Sequence, residues 1–180
     1  PRQAVMGATL LMNLSASDET IAKAAYRKIL ISSQSARTVS AYLYADAGFG
    51  ESSTDMVFAG HNFICENGRI LAESALFTSG LLYQDLDLEL LMQERIHQST
   101  YPDYPENRDT SGYREAFFSL PFEDTPLIRQ IAPYPFVPSD PAERDRRCEE
   151  ILAIQSSGLA KRLAHTGCKS VVIGMSGGLD

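Results

Sequence analysis

Apolar positions in this chain recur with two spacings, and the changes between them predict the elements. Gly7-Ala-Thr-Leu-Leu-Met-Asn-Leu14 is a continuous apolar run closing on Asn13 and Ser15, which predicts a buried strand whose polar end enters a site. Ser15-Ala-Ser-Asp-Glu-Thr20 supplies N-cap residues and early acids for a helix over roughly residues 21–39. Ala22, Ala25, Tyr26, Ile29, Ser33 and Ala36 have helical spacing and predict its packing face, while Lys23, Arg27 and Arg37 punctuate it. Strand character returns over 41–45, followed by a polar loop at 48–55. Short strands are predicted at 56–59, 62–65 and 70–73, the last two joined by Glu66-Asn67-Gly68-Arg69. Asn-Gly between strands is a strong hairpin signal, because both residues tolerate positive φ. A further strand over 81–87 ends on Asp87, which can cap a helix over 88–98.

Beyond Ser99 the periodicity fails, and eight of the nine prolines fall between Pro102 and Pro141. That stretch predicts a linker, with one short helix near 126–131. Asp140-Pro141 then places a capping acid before proline at the first helical position, and Cys148, Ile151, Leu152, Gln155, Leu159 and Leu163 form one stripe of a helix ending at Thr166-Gly167. Ser170 to Met175 is a short apolar run that predicts a buried parallel strand emptying into Ser176-Gly177-Gly178.

At 180 residues, 44% hydrophobic and 22% charged, the composition is globular and holds one ordinary domain or parts of two. A net charge of −7 gives no basic footprint for nucleic acid or an anionic membrane, so neither is expected as a partner. No apolar run reaches the roughly 18 residues of a spanning helix, and residues 1 to 20 lack the layout of a signal peptide. Cys65, Cys148 and Cys168 show no metal-ligand spacing, and their odd number argues for free thiols and a cytoplasmic protein. The chain opens on Pro1 rather than Met, so its natural N-terminus is expected to lie upstream.

Candidate chemistry sits at both ends of the chain. A strand closing on two glycines lets successive N–H groups converge on phosphate oxygens, and Ser176 adds a hydroxyl donor. No Walker-type Gly-x-x-x-x-Gly-Lys-Ser/Thr exists here. Ser176-Gly-Gly-Leu-Asp180 instead resembles the Ser-Gly-Gly-x-Asp loop of the ATP pyrophosphatases, which implies ATP contacts from Gly174, Met175, Ser176, Gly177, Gly178, Leu179 and Asp180, with Asp180 holding Mg²⁺. An ordinary glycine turn is the competing reading.

Near the start, Asn13-Leu-Ser-Ala-Ser17, Arg27, Ser35-Ala-Arg37, Tyr42-x-Tyr44-x-x-x-Gly48, Phe58-x-Gly60-His61 and Glu66-Asn-Gly68 follow one another in an order that resembles the C-terminal half of a nitrilase-superfamily amidase domain. With Pro135-Phe-Val-Pro138 and the glycine loop behind it, the chain is similar to the glutamine-dependent NAD synthetase family.

The resemblance implies an α/β chain made of a partial nitrilase-like αββα sandwich, followed by the start of a Rossmann-like ATP-pyrophosphatase domain. It implies three parts: 1–98 from the glutaminase domain, a 99–139 linker, and 140–180 opening the synthetase domain. In that family ATP and Mg²⁺ serve the amidation of deamido-NAD, and the ammonia comes from glutamine. Its Cys nucleophile, Glu base and oxyanion-stabilising Lys fall upstream of Pro1, so no catalytic residue is expected within this chain. Ser17 matches a residue contacting the amino-acid end of glutamine, and Lys23 stands where an Arg can clamp the carboxylate, though an ammonium cannot form the bidentate fork. A helix cap and a solvated lysine are the plainer readings of the same two residues.

Cys65, Cys148 and Cys168 read as structural thiols, His61 as a packed or hydrogen-bonded residue, and Arg37 and Glu73 as ion-pair members. The complete protein is expected to be a homo-oligomer. Two alternatives stand beside the ligase: a free-standing nitrilase-type amidase, and a non-catalytic nitrilase-like scaffold.

Overall fold

The computed structural model describes residues 2–48, 50–102, 112–121, 123–124 and 126–178. It divides into two units, residues 1–130 and 131–180. The α/β class expected from the sequence is what the structure shows.

After a one-turn helix α1 (Arg2–Val5), the first unit consists of β1 (Leu10–Ser15), α2 (Lys23–Thr38), β2 (Ala41–Asp46), β3 (Phe63–Glu66), β4 (Arg69–Glu73) and α3 (Leu88–His97). The strands form one sheet in the order β1-β2-β3-β4. β1 and β2 are parallel, joined through α2, and the other two pairs are antiparallel. α2 packs on this sheet, and on β1 Met12 and Leu14 are exposed. The sheet also sets the position of the site. Register pairs Asn13 with Tyr44 and Ser15 with Asp46, so the polar end of β1 and the end of β2 lie side by side.

The core is built where α2 meets the sheet. Ile31, Tyr44, Phe63 and Cys65 form one buried cluster, with Tyr42 and Ile70 packed on it. Val39, Ala41 and Leu91 form a second, with Leu10, Leu86 and Tyr101 at its edge. Of these, Ile31, Phe63, Val39 and Leu91 each contribute ~1.5–3 kcal/mol from apolar area removed from water. Arg95 of α3 gathers the carbonyls of Ala8, Thr38 and Val39 at 2.7, 3.2 and 2.9 Å, setting a cation at the C-terminal end of α2.

The buried face of α2 is Arg27, Ile31, Ser35 and Thr38, not the stripe that hydropathy predicts. Ala22, Ala25, Tyr26, Ile29, Ser33 and Ala36 are all exposed. Hydropathy selects the wrong face because three of the four buried residues are polar and find partners inside the fold. Ser35 Oγ donates to Ser40 O at 2.7 Å and accepts from Gly68 N–H at 3.0 Å, and Thr38 Oγ1 donates to Gln34 O at 2.7 Å. The helix also starts later than its capping signal. Ala22, left-handed at φ 67°, is the N-cap without a side-chain hydrogen bond, so Ser15, Ser17 and Asp18 cap nothing.

The Asn67-Gly68 hairpin forms as expected, with φ of 45° and 84°. Gly68 is required twice over: its φ is positive, and a Cβ there would stand 2.8 Å from Ala36 Cβ. Gly68→Ala should therefore cost about 1–3 kcal/mol through overpacking against α2, read as a lower midpoint in urea with unchanged m. Normal stability in that variant would show that the turn can move away from the helix.

Other expectations differ from the structure. Residues 56–59 make an isolated bridge, Phe58 to Asp18, and 81–87 has no strand partner among the described residues. Residues 126–131 are not helical; Ile128 and Arg129 instead donate their N–H groups to Asp85 at 2.7 and 2.9 Å, and Arg129 forks onto Glu66. That pairing raises the Arg129 pKa, chiefly through the hydrogen bond to Glu66. Asp87 does cap α3, accepting from Leu90 N–H at 2.9 Å.

The second unit holds α4 (Pro141–Thr166), capped by Asp140, which accepts from the N–H groups of Ala142 and Glu143, and ended by Gly167 at φ 67°. Its expected apolar stripe is not buried. Residues 170–175 are not a strand either, and Val172 is 97% exposed. A single extended segment gains strand hydrogen bonds only from a neighbour, and none pairs with it among the described residues.

Candidate functional site

A cleft of about 340 Å³ opens between α2 and the ends of β1 and β2. Ser17 and Lys23 both line it, as the sequence expectation requires of two residues serving one ligand. Asn13, Ser15, Arg27 and Tyr44 are among the other lining residues. The β1–β2 register brings the first two here, and the segment leaving β1 brings Ser17.

Beneath the cleft lies a polar chain that hydropathy did not single out. The Arg27 side chain is 5% exposed, between the enclosed carboxylates of Glu19 and Asp46. Nη1 donates to Glu19 Oε2 at 2.8 Å and meets His61 Nδ1 at 3.1 Å. Nη2 donates to Ser17 Oγ at 3.4 Å and stands 3.8 Å from Asp46 Oδ2. Asp46 Oδ1 accepts the Ser17 backbone N–H at 2.9 Å. Since a guanidinium only donates, His61 Nδ1 accepts, and Nε2–H donates to Glu73 Oε1 at 3.0 Å. Glu73 Oε2 then takes Lys28 Nζ at 2.5 Å. Burial works to raise the Glu73 pKa, yet the hydrogen bonds from Lys28 and His61 and the charge of Lys28 prevail and lower it. His61 and Glu73 are thus the hydrogen-bonded and ion-paired residues expected.

Lys23 pairs with Asp18 at 2.5 Å, and this hydrogen bond, with the charge behind it, lowers the Asp18 pKa. The lysine is therefore an ammonium already shared with a carboxylate at the rim.

Cys65 lies in the core, and burial, followed by the negative charge of Glu73, pushes its pKa up to about 11. At neutral pH it is a protonated, enclosed thiol and no nucleophile. Cys148 and Cys168 are exposed. Iodoacetamide at pH 8 should label Cys148 and Cys168 in the folded chain and spare Cys65 until denaturant is added, as read by peptide mass spectrometry. Early labelling of Cys65 would contradict the burial.

The glycine loop is in the second unit. Gly177 adopts φ 86°, a conformation favouring glycine, and an added Cβ would have no atom within 4 Å at Gly174 or Gly177. Met175 is exposed. Leu179 and Asp180 lie outside the described residues.

No family model matches the chain. Curated relatives do. Glutamine-dependent NAD(+) synthetase of Mycobacterium tuberculosis strain H37Rv is 44% identical over 183 residues, 98% of this chain and 27% of that protein. The Mycobacterium leprae protein of the same name is 43% identical over 185 residues, with the same coverage. The chain is thus similar, over nearly its whole length, to one part of the glutamine-dependent NAD(+) synthetases. It spans about 27% of the length of the curated relatives it matches. Solved synthetases of this name also align: one from Cytophaga hutchinsonii (TM-score 0.39, 30% identity, 41% of this chain and 12% of that one). Another, from Acinetobacter baumannii in complex with ADP, gives a TM-score of 0.41 at 20% identity, over 44% of this chain and 15% of that one. At 98% of this chain, the alignment to the mycobacterial synthetases extends over both units. In sequence Arg27 is a charge on a helix and one position of the motif order, Glu19 is an early acid ahead of that helix, and Asp46 follows the predicted strand.

Proposed function

We propose that this chain is part of an enzyme that uses ATP to amidate deamido-NAD to NAD, with ammonia released from glutamine. The observation that carries this reading is the 44% identity to glutamine-dependent NAD(+) synthetases over 98% of the chain. The relatives give no support to a free-standing amidase or a scaffold. We assign residues 1–98 to the glutaminase side, 99–139 to the linker and 140–180 to the synthetase side; the glutaminase nucleophile, base and oxyanion lysine belong to no residue of this chain.

In the cleft, the Ser17 hydroxyl and the Lys23 ammonium hold the amino-acid end of glutamine. Both are donors suited to a carboxylate, and both line the same cavity. In the second unit, backbone N–H groups from Gly174 to Leu179, with Ser176 Oγ, receive the phosphates of ATP. The positive φ of Gly177 and the open space above it suit that task. Asp180 is the hard oxygen donor that would hold Mg²⁺, which when bound offsets phosphate charge. We also infer a homo-oligomer in the complete protein and a cytoplasmic location, the latter supported by three free thiols. Among the described residues, no helix is long and apolar enough to cross a membrane.

The test is Ser17→Ala in the complete enzyme. Losing a hydrogen bond to a charged group costs about 1.5–3 kcal/mol, so the KM for glutamine should rise roughly tenfold to a hundredfold while ammonia-driven synthesis is unchanged. Equal loss with glutamine and with ammonia would remove Ser17 from the glutamine site.

A further inference from the structure

We propose that Arg27 is a positioning residue for the cleft: its buried guanidinium, braced by Glu19, Asp46 and His61, fixes Ser17 so that the hydroxyl proton points to the ligand. The inference rests on the reading of the cleft as the glutamine site.

Burying a guanidinium beside two carboxylates is weak evidence for stability, since desolvation offsets most of the attraction. An arrangement selected for stability alone would close the Arg27 fork on one carboxylate in two parallel bonds. Here the fork is spread instead. It reaches Glu19 and Ser17 on the segment before α2, Asp46 at the end of β2, and His61 ahead of β3. The spread leaves two buried atoms, Arg27 Nε and Asp46 Oδ2, without a hydrogen bond. Such exceptions in an otherwise satisfied interior point to a geometry held for another purpose.

What the geometry achieves is visible at Ser17. Its N–H is tied to Asp46 Oδ1 at 2.9 Å, and its Oγ accepts from Arg27 Nη2 at 3.4 Å. A hydroxyl whose oxygen is engaged by a cation keeps its single proton for another acceptor. Ser17 lines the cleft, so that acceptor is a carboxylate entering it. The segment is braced from outside as well: Glu19 N–H donates to Val57 O at 2.6 Å. On the far side, His61 is itself held by Glu73, which pairs with Lys28.

Arg27→Lys in the complete enzyme tests this. Lysine keeps the charge opposite Glu19 and Asp46, but one terminal nitrogen cannot serve Glu19, His61 and Ser17 together. The KM for glutamine should rise about tenfold, with a smaller change in kcat and with ammonia-driven synthesis intact. In Ser17→Ala/Arg27→Lys, the effects should not add, because Arg27 acts through Ser17. A fall in both activities in proportion to a lower melting temperature, or full additivity, overturns the proposal.

If the lysine variant does not fold, Asp46→Asn takes its place. It keeps an acceptor for the Ser17 N–H but removes the charge that holds the guanidinium, and it should raise the glutamine KM in the same direction. An unchanged KM in that folded variant also overturns the proposal. The two levels separate cleanly. If Ser17→Ala raises the glutamine KM and Arg27→Lys does not, positioning fails and the glutamine site stands; if neither does, the reading of the cleft itself falls.

Discussion

Gly177→Ala is expected to reduce ATP-dependent synthesis about a hundredfold or more, with glutamine and with free ammonia alike, while the protein stays folded. Gly177 sits at φ 86°, and an L-residue forced into that region loses roughly 1–2 kcal/mol or moves out of it. Either way the N–H groups on both sides turn away from a common point. An added Cβ meets no protein atom within 4 Å, so the damage comes from backbone rotation and from the space that phosphate oxygens need, not from a clash within the fold. The exposed loop contributes little to packing, so the melting temperature should hardly change. Near-normal ATP affinity in the variant would reduce the loop to an ordinary turn.

Arg27→Met should be the most destabilising substitution in the first unit, at about 3–5 kcal/mol, because it leaves buried carboxylates without their cation. Glu19 and Asp46 have side chains 9% and 0% exposed, so water cannot take over the role of the guanidinium. The loss should appear as an earlier first transition in urea and as lost hydrogen-exchange protection in α2 and β2. Adding Glu19→Gln and Asp46→Asn to the same chain should recover part of it, since the charges left behind are then gone. A single Arg27→Met variant of normal stability would mean that the carboxylates have another partner.

The parts of this fold that were legible in sequence are those fixed by local chemistry. Asn67-Gly68 forces a tight hairpin, Asp87 and Asp140 cap helices through their own side chains, and Gly167 ends α4 in the left-handed region. What failed depended on partners distant in sequence. The apolar run 170–175 has strand composition but no neighbour to pair with among the described residues, and 81–87 forms no strand, its Asp87 N–H donating to the Glu66 carboxylate. The face of α2 was misread because its buried residues include a cation and two hydroxyl groups, residue types that hydropathy assigns to solvent.

The candidate site was half legible for the same reason. Ser17 and Lys23 carry a motif within a few residues of each other, and the structure lines one cleft with both. Arg27, Glu19, Asp46 and His61 come from four places in the chain and acquire meaning only when the β1–β2 register and the turn before β3 bring them together.

The most direct measurement of the central claim is a product balance in the complete enzyme supplied with deamido-NAD, ATP, Mg²⁺ and glutamine. NAD, glutamate, AMP and pyrophosphate should form in equal amounts, and ammonia should replace glutamine without changing the nucleotide products. Release of ADP and phosphate, or glutamine hydrolysis with no NAD formed, would contradict the account.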